Sequence, residues 1–410
     1  MEESKLAVPE YLDNAFFQEV LRNYLKRPDG NIDRIELSMG CGSGENFCSV
    51  IYRVRVQFSY DKSKCESATW IVKSMPYVGE YEVFEDMQLF KKESETYFKI
   101  LPELDKFAQT NFGPSCYYVT STPIDTIVFE DLKLRRLRQI DRFNAIDESH
   151  CAIVFSKLAK FHAASMHLAE KNPNIFDNFQ IGMYSERNFQ AEQNREFFLK
   201  KFQMAIKITE RTAGYESIAK KMKVLEPTYI QRAWENFDSK KGLLKVLNHG
   251  DLWRNNLFFK YESDESNIPT ECLFIDYQGC IYSGPGIDIN YFLNTSVQID
   301  ILKGKRDYLL KECYYQTLRK TLEELSYKKV PTYSDVEADI LNYEFFGLFS
   351  AIGSSINQLI HELSYAKFLE GLNDEKRFET CINLAPRAEK FRAKLEYVLR
   401  RADSLGLLDQ

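Results

Sequence analysis

The sequence contains little of what marks a disordered, nucleic-acid-binding or membrane-spanning chain. Only 12 of its 410 residues are proline and 18 are glycine, whereas 44% are hydrophobic, so the chain can bury a large core. A formal net charge of -6 offers no positive field to phosphate backbones or anionic lipids, which argues against nucleic-acid and membrane partners. The apolar run FFGLFSAIG, starting at Phe345, is far too short to cross a bilayer.

The cysteines and the amino terminus give no sign of a secreted protein. The nine cysteines contain no C-x-x-C pair and no His/Cys cluster, which predicts scattered reduced thiols rather than disulfides or a zinc site. The first stretch, MEESKLAVPEYLDNAFF, is acidic and interrupted by Pro9, unlike the basic start and apolar run of a signal peptide. We therefore expect a cytoplasmic protein whose partner is a small molecule.

The secondary-structure signals change in character near residue 131. From Ile35 to about Val128, the β-rich runs SVIYRVRVQFSY, ATWIVKSM, SCYYVTS and DTIVFEDL surround one helical stretch, which predicts a small mixed sheet with an inserted helix. Helical periodicity then dominates, apart from one hairpin candidate, NLFFKYE and ECLFIDYQ, joined by SDESNIPT. The chain is predicted to form an α+β fold with two domains, 1–130 and 131–410.

Two segments of the first half carry candidate phosphate-binding groups. The segment SMGCGSGENFCSVIYRV places Gly40, Gly42 and Gly44 before a β-rich run. Glycines let a backbone approach phosphates and present N–H groups to them, although a hairpin turn without a ligand would explain the same residues. Lys73 closes the apolar strand ATWIVKSMP, where it either points to solvent or meets an acidic partner.

Glu93 is the predicted acidic partner. In the helix VFEDMQLFKKESETYFKILPEL it lies three residues after Phe90 and four before Tyr97, on the apolar face. A buried glutamate needs a cation, and Lys73 is the candidate; otherwise Glu93 reaches water at the margin of the stripe. Further on, IVFEDL at residues 127–132 is either an ordinary strand end or the crossing between lobes, where backbone groups could bind an adenine.

The stretch LNHGDLWRNNLFF crowds His249, Asp251 and Asn256 between apolar residues. Asp and Asn are poor helix and strand formers, which favours a loop held in place for chemistry. An acid that accepts a hydroxyl proton, an amide five residues later and a carboxylate at a strand end, Asp276, form the arrangement that phosphoryl transfer requires. An Asx-rich loop and a turn cap are structural alternatives, but the order and spacing of all five segments make coincidence improbable.

Together these segments resemble the protein-kinase-like fold, and in detail they resemble the insect ecdysteroid kinase-like family, which is related to choline kinases and aminoglycoside phosphotransferases. The resemblance rests on FKKESETYFKILPEL, FEDL, LAKFHAASM, VLNHGDLWRNNLFF and GPGIDINYFL, from about Gly40 to Leu293. It implies a bilobal α+β fold, with a small β-rich N-lobe that binds nucleotide and a larger, mostly helical C-lobe.

The resemblance also implies roles for individual residues. Asp251 would be the catalytic base, His249 would brace its loop, and Asn256 and Asp276 would hold Mg²⁺. Asp288 is expected to be a structural acid hydrogen-bonded to the same loop. Lys73 would bind the α/β-phosphates of ATP, and Glu93 would orient Lys73. The glycine loop would cover the phosphates (Gly40, Gly42 and Gly44). The backbone of Glu130, Asp131 and Leu132 would contact the adenine.

Two departures separate the chain from protein kinases. Tyr277 and Gln278 follow the metal aspartate in place of Phe-Gly, and no segment ends in APE. We therefore expect a small-molecule kinase without activation-loop control. His162 lies on a stripe with Phe155 and Leu158 and is expected to be a core histidine, despite its place in a family motif.

The leading hypothesis is an ATP- and Mg²⁺-dependent kinase that phosphorylates a hydroxyl of a small lipophilic acceptor, such as an ecdysteroid or a xenobiotic. Helical segments 192–225 and 343–369 would build an apolar acceptor pocket. Their aromatic residues serve equally well as core: Phe197, Phe198, Phe202, Phe346 and Phe349. The alternative is a catalytically silent small-molecule-binding protein on the same fold.

Overall fold

The computed structural model of the protein describes residues 8–40, 49–61, 64–75, 88–141, 144–237, 243–362 and 375–409. Two glycines of the predicted phosphate loop, Gly42 and Gly44, lie outside the described residues, as do residues 83–87 at the start of the predicted helix.

The N-lobe is built on a five-stranded sheet. Its strands are β1 (Asn31–Met39), β2 (Val50–Asp61), β3 (Lys64–Ser74), β4 (Cys116–Thr120) and β5 (Thr126–Glu130), in the order β1-β2-β3-β5-β4. Every pairing is antiparallel, so the prediction of a mixed sheet is wrong. The short β2–β3 and β4–β5 connections require antiparallel pairing, because a parallel pair needs a crossover of about a dozen residues. Strands β3 and β5 are separated by a helical segment and by β4, so the length of the chain between them does not set their direction.

The two faces of this sheet are covered differently. On β2 the alternate residues Tyr52, Val54, Val56 and Phe58 are buried against an N-terminal helix, α1 (Asn14–Leu25). The sequence analysis did not predict α1, although its signals are local, with a capping Asp13 that accepts the N–H of Phe16 at 2.8 Å. The opposite face carries Lys73.

That second face packs against a helical segment between β3 and β4. The segment comprises α2 (Leu89–Glu95), a π-helical stretch (Thr96–Ile100) and α3 (Leu101–Ala108). Glu93 and Tyr97 are both buried, as the apolar stripe predicted.

The C-lobe is mostly helical and contains two small two-stranded sheets, of which one is a hairpin. The strands pair β6 (Val246–Asn248) with β9 (Ile281–Ser283) and β7 (Leu257–Tyr261) with β8 (Pro269–Phe274), all antiparallel. The β7–β8 hairpin was predicted and the β6–β9 pair was not, because its strands are short and far apart in sequence. The helices are α4 (Glu148–Lys171), α5 (Glu186–Gln190), α6 (Glu192–Glu210), α7 (Glu216–Leu225), α8 (Tyr229–Phe237), α9 (Gly286–Ser296), α10 (Ile299–Gly304), α11 (Arg306–Tyr308), α12 (Gln316–Glu324), α13 (Tyr333–Asn342), α14 (Glu344–Glu362), α15 (Glu375–Leu384) and α16 (Glu389–Ser404).

Helix α4 runs through the main core. His162, near its middle, is fully buried and is a core histidine, as expected. Its Nδ1 lies 2.7 Å from the Tyr314 hydroxyl and its Nε2 3.3 Å from Asp288 Oδ2, so it also supports an acid that contacts the candidate active site.

The remaining features agree with the composition. No helix in the described parts of the chain is both long and apolar enough to cross a membrane. The cysteines that the structure describes are free thiols, in line with the expectation from their spacing.

A buried ion cluster joins three helices of the C-lobe. Glu344, at the start of α14, is 4% exposed and lies 2.6 Å from Arg306 on α11. It also bonds Arg401 on α16. Glu379 on α15 bridges Lys207 on α6 and Arg211, the residue that follows α6, in the same two-cation pattern, at 3.1 and 3.2 Å, but at the surface.

Because these two clusters differ in burial, we expect them to contribute differently to stability. Replacing Glu344 with Gln leaves the buried Arg306 without a carboxylate, so we expect the free energy of unfolding to fall by about 3 kcal/mol. Glu379→Gln, the matched exposed control, should leave the urea midpoint unchanged because solvent screens that pair. Equal midpoints for the two variants would contradict the prediction.

Candidate active site

The two small C-lobe sheets bring the motif residues together. The loop from β6 to β7 carries His249, Asp251 and Asn256, and the loop from β8 to β9 carries Asp276. Because Leu257 pairs with Phe274, both loops join the β7–β8 hairpin at the same end. The Ile275 N–H donates to the Asn256 carbonyl at 3.0 Å, which sets the two predicted metal ligands beside each other.

The loops pack so closely that a glycine is required. Gly250 has φ of 79°, and a Cβ there would lie 1.9 Å from the Gly279 carbonyl oxygen. A side chain at position 250 would therefore both strain the backbone and clash. Asp276 also has positive φ, 67°, a conformation that non-glycine residues adopt rarely and that is concentrated at functional sites.

Lys73 connects the N-lobe sheet to both neighbouring elements. Its Nζ donates to Glu93 Oε1 and Oε2 at 2.8 and 2.7 Å, so the ion pair that the sequence predicted is present. The same Nζ contacts Asp276 Oδ1. Burial alone would lower the pKa of Lys73, but the Asp276 and Glu93 carboxylates raise it above its usual value, so the ammonium stays charged.

Asp251 is held at both carboxylate oxygens. Tyr291 donates its hydroxyl to Oδ1 at 2.7 Å, and Asn256 Nδ2 donates to Oδ2 at 3.1 Å. Burial, reinforced by the nearby Asp276, raises the pKa of Asp251 to about 7. A carboxylate with this pKa in a buried site is suited to accept a proton near neutral pH.

His249 braces the loop without reaching solvent. Its Nε2–H donates to the Ile275 carbonyl at 2.9 Å, and its Nδ1 accepts the Asp251 N–H at 3.3 Å. Burial lowers its pKa, so the ring is neutral, as these two bonds require. Asp288 accepts the N–H groups of His249 and Gly250 at 2.6 and 2.8 Å, which is the structural contact that the sequence analysis expected.

The donor atoms at this site fit a magnesium ion. Both side-chain hydrogen bonds of Asn256 use its Nδ2, so its Oδ1 is the atom that the side chain can offer. Asp276, one-quarter exposed, contributes carboxylate oxygen. Hard oxygen donors suit Mg²⁺, which takes its remaining ligands from phosphates and water. Among the described residues, no group of three or more His, Cys, Asp or Glu side chains could hold a metal ion by itself.

The residues predicted to bind nucleotide are placed unevenly. Gly40 donates its N–H to the Ile51 carbonyl at 2.8 Å, and a Cβ there would lie 2.5 Å from the Ile51 side chain. Its N–H is therefore used within the sheet, and its role is to allow close strand approach. Gly42 and Gly44 lie outside the described residues.

The predicted hinge follows β5. Glu130 ends that strand, and Leu132 opens a 3-10 turn. The Asp131 side chain pairs with Arg53 of β2 at 2.6 Å and accepts the Lys133 N–H at 3.1 Å. Because this carboxylate is occupied, an adenine would have to meet the backbone, which is the mode that the family resemblance implies.

The aromatic residues predicted to line an acceptor pocket divide into two sets. Phe202, Phe346 and Phe349 are fully buried and belong to the core, whereas Phe197 and Phe198 are half-buried. Two further half-buried aromatics that were not predicted, Tyr184 and Trp253, share this cluster. Helical periodicity cannot separate the two sets, because core and pocket residues occupy the same apolar stripe.

Sequence reasoning also missed polar contacts to the motif residues. Tyr291 bonds Asp251, the Asp276 N–H donates to the Tyr97 hydroxyl at 3.2 Å, and Gln278 Nε2 donates to Asp276 Oδ2 at 3.2 Å. The one available signal was spacing. Tyr291 lies one helical turn after Asp288, which was already expected to face the loop.

Comparison with known proteins agrees with this architecture. The sequence model of the ecdysteroid kinase-like family matches residues 43–327. The chain belongs to the ecdysteroid kinase-like family. Its bilobal α+β fold is thereby confirmed, and membership supports small-molecule kinase activity. A solved structure of an ethanolamine kinase from Plasmodium vivax matches at 12% identity, covering 95% of this chain and 93% of that one, with a TM-score of 0.39. No curated protein sequence gives a significant match.

The buried Asp251 carboxylate makes stability depend on pH. Its pKa is about 7 in the folded protein against an ordinary value of 3.8, so between these values the folded state binds more protons than the unfolded state. Stability from this group is thus lost as pH rises through the window. Asp251→Asn removes this pH dependence. We therefore expect the melting temperature of the variant to rise relative to that of the wild type as pH increases from about 4 to 7.

This melting experiment is done in a chelating buffer without nucleotide. Asp300→Asn, at an exposed position on α10, is the control and should follow the wild type at every pH. A constant difference between Asp251→Asn and the wild type across the window would show that Asp251 does not carry this dependence.

Proposed function

We propose that this protein is an ATP- and Mg²⁺-dependent kinase that phosphorylates a hydroxyl of a small lipophilic acceptor, an ecdysteroid or a lipophilic xenobiotic. The observation that carries the proposal is the convergence of Lys73, Asp276 and Asp251, from strand β3 and from the loops that flank the β7–β8 hairpin, at one site. Free thiols support a cytoplasmic location, and no nucleic-acid or membrane partner is part of the proposal.

Asp251 is positioned to act on the acceptor. Its carboxylate would accept the proton of the attacking hydroxyl, which makes the oxygen a better nucleophile. Tyr291 and Asn256 hold its two oxygens, while Asp288 and His249 hold the backbone of its loop. The base therefore needs little rearrangement before reaction.

Lys73, Asn256 and Asp276 are positioned to act on the nucleotide. Lys73, oriented by Glu93, would bind the α/β-phosphates, and Asn256 Oδ1 with Asp276 would hold Mg²⁺. When bound, Mg²⁺ neutralises charge on the phosphates. Two acids, the buried Glu93 and the partly exposed Asp276, pair with Lys73, and a third acid, Asp251, lies near Asp276. This excess of acidic groups favours an additional positive charge at the site.

The apolar surroundings of Asp251 support a lipophilic acceptor. Tyr184 lies next to Asp251 and Tyr291, and its ring packs 6.1 Å from that of Phe198. Trp253 follows Asp251 by two residues and is half-buried. Half-exposed rings beside a proton acceptor provide apolar contact for a ring system that presents one hydroxyl.

The first functional prediction concerns the base. Asp251→Asn should lower turnover by roughly 10²- to 10⁴-fold while leaving ATP affinity nearly unchanged, because it removes proton acceptance and spares the nucleotide contacts. Purified protein would be assayed with Mg²⁺, ATP and a panel of ecdysteroids, plant phenolic glycosides and choline. Loss of ATP affinity together with turnover would contradict the role of Asp251.

The same panel separates a kinase from a silent binding protein. Phosphorylated product from one acceptor class, absent with Asp251→Asn, would establish the reaction. Lack of thermal stabilisation by ATP, with and without Mg²⁺, would reject the kinase and leave the binding protein.

The second functional prediction concerns the metal. Asp276→Ala should weaken the Mg²⁺-dependent part of ATP binding, followed as the melting temperature across a Mg²⁺ titration. Asp264→Ala, at the exposed turn of the β7–β8 hairpin, is the control and should titrate as the wild type does. Coinciding curves for Asp276→Ala and the wild type would reject Asp276 as a ligand.

A further inference from the structure

Helix α9 contacts the loop that carries Asp251 mainly through one stripe of residues, and Ser296 beside this stripe also accepts the Arg254 N–H at 2.9 Å. Asp288, Tyr291 and Thr295 are spaced three and four residues apart, which places them on one face of the helix. Each contacts the loop of residues 249–254, in the same order along both segments. All residues of α9 are buried, so this face is held rigidly against the loop.

The residues at the two ends of the stripe fix the two ends of the loop. At one end Asp288 accepts the His249 and Gly250 N–H groups. At the other, the Thr295 carbonyl accepts Arg254 Nη1 at 3.1 Å, near the carboxyl end of the helix, where a cation is favoured. Between these backbone and terminal contacts, Tyr291 alone of the stripe reaches the reacting carboxylate.

The Tyr291 ring has little freedom of its own. It stacks on Phe346 with ring centroids 6.0 Å apart and planes 14° apart, and the Tyr184 ring lies against it with centroids 6.4 Å apart. Burial raises the pKa of Tyr291 well above its usual value, so the phenol keeps its proton and donates it in the hydrogen bond to Asp251.

Asp251 would be free to turn without this bond. The Asn256 amide holds only Oδ2, and a carboxylate held at one oxygen can rotate about its terminal torsion, where the rotamer wells are broad. The Tyr291 hydroxyl bonds Oδ1 at 2.7 Å, so both carboxylate oxygens of Asp251 are fixed. The lone pairs that remain free on these oxygens then point in a constant direction. A general base must lie within hydrogen-bond reach of the proton it accepts, so this direction decides its efficiency.

We propose that Tyr291 is a positioning residue, whose hydroxyl fixes the Asp251 carboxylate toward the acceptor hydroxyl. The inference rests on the proposed kinase function and adds to it a residue that contributes to kcat without binding ATP, metal or acceptor.

The test replaces Tyr291 with Phe, which removes the hydroxyl and keeps the stacked ring. We expect kcat to fall roughly 10- to 100-fold, as for a lost hydrogen bond to a charged group, with both KM values within about twofold and the melting temperature unchanged. Tyr229→Phe is the matched control. Tyr229 is a buried phenol of the same aromatic cluster, stacked on Phe202 with centroids 3.7 Å apart, and its variant should turn over as the wild type does.

A double variant separates positioning from general support of the fold. If Tyr291 acts through Asp251, Tyr291→Phe should cost no further turnover in the Asp251→Asn background. An additive loss would overturn the inference, as would a raised KM with unchanged kcat, an equal loss in Tyr229→Phe, or a lowered melting temperature with weakened ATP binding.

Failure of this inference can be told apart from failure of the proposed function. If the wild type is active and Tyr291→Phe is equally active, only the positioning role is rejected. A wild type that transfers phosphate to no acceptor and does not bind ATP rejects the kinase, and this inference with it.

Discussion

The site depends first on the position of one ammonium group. Lys73 Nζ lies between Glu93 of α2 and Asp276 of the β8–β9 loop, so one charge on strand β3 joins the helix to the C-lobe. Because all three groups are buried or nearly so, removing any one would leave a neighbour uncompensated, which is costly in a low-dielectric interior. Tyr97, one turn after Glu93, adds a second link, since its hydroxyl accepts the Asp276 N–H. The metal loop is therefore held in place by the same helix that orients the lysine.

Close backbone contacts hold the loops that carry the acidic residues of this cluster in place. Gly250 lies against Gly279 with no room for a side chain, Asp276 is held at positive φ, and Asp288 ties down two successive N–H groups of the loop. Such features reduce stability locally and persist only where the surrounding core determines them. Here α4 with its buried His162 supports Asp288 from one side, and α9 lies buried behind the loop.

Much of the local structure was readable because its signals are local. The apolar runs of β2, β3 and β5, the hairpin β7–β8 and the helix α4 appear where alternation and periodicity predicted them. The prediction of a mixed sheet was wrong, because strand composition does not carry the direction of pairing between strands as far apart in sequence as β3 and β5. The phosphate-binding role of Gly40 stays a prediction, although its N–H is bonded within the sheet. For Phe346 and Phe349 the sequence left pocket and core open, since an apolar stripe carries no information about what it faces, and the structure places both in the core.

The sequence by itself determined which groups are available for the chemistry: a lysine ending a strand, a glutamate on an apolar helical face, and an acid, an amide and a second acid at loop spacing. These follow from residue type and short-range geometry, which the chain specifies locally. Only the tertiary structure decided what each group touches. Tyr291 contacts Asp251, and Lys73 contacts Asp276, although each pair is far apart in sequence. The packing of α9 and of the two lobes sets these distances. Such long-range packing depends on the whole core rather than on any one segment.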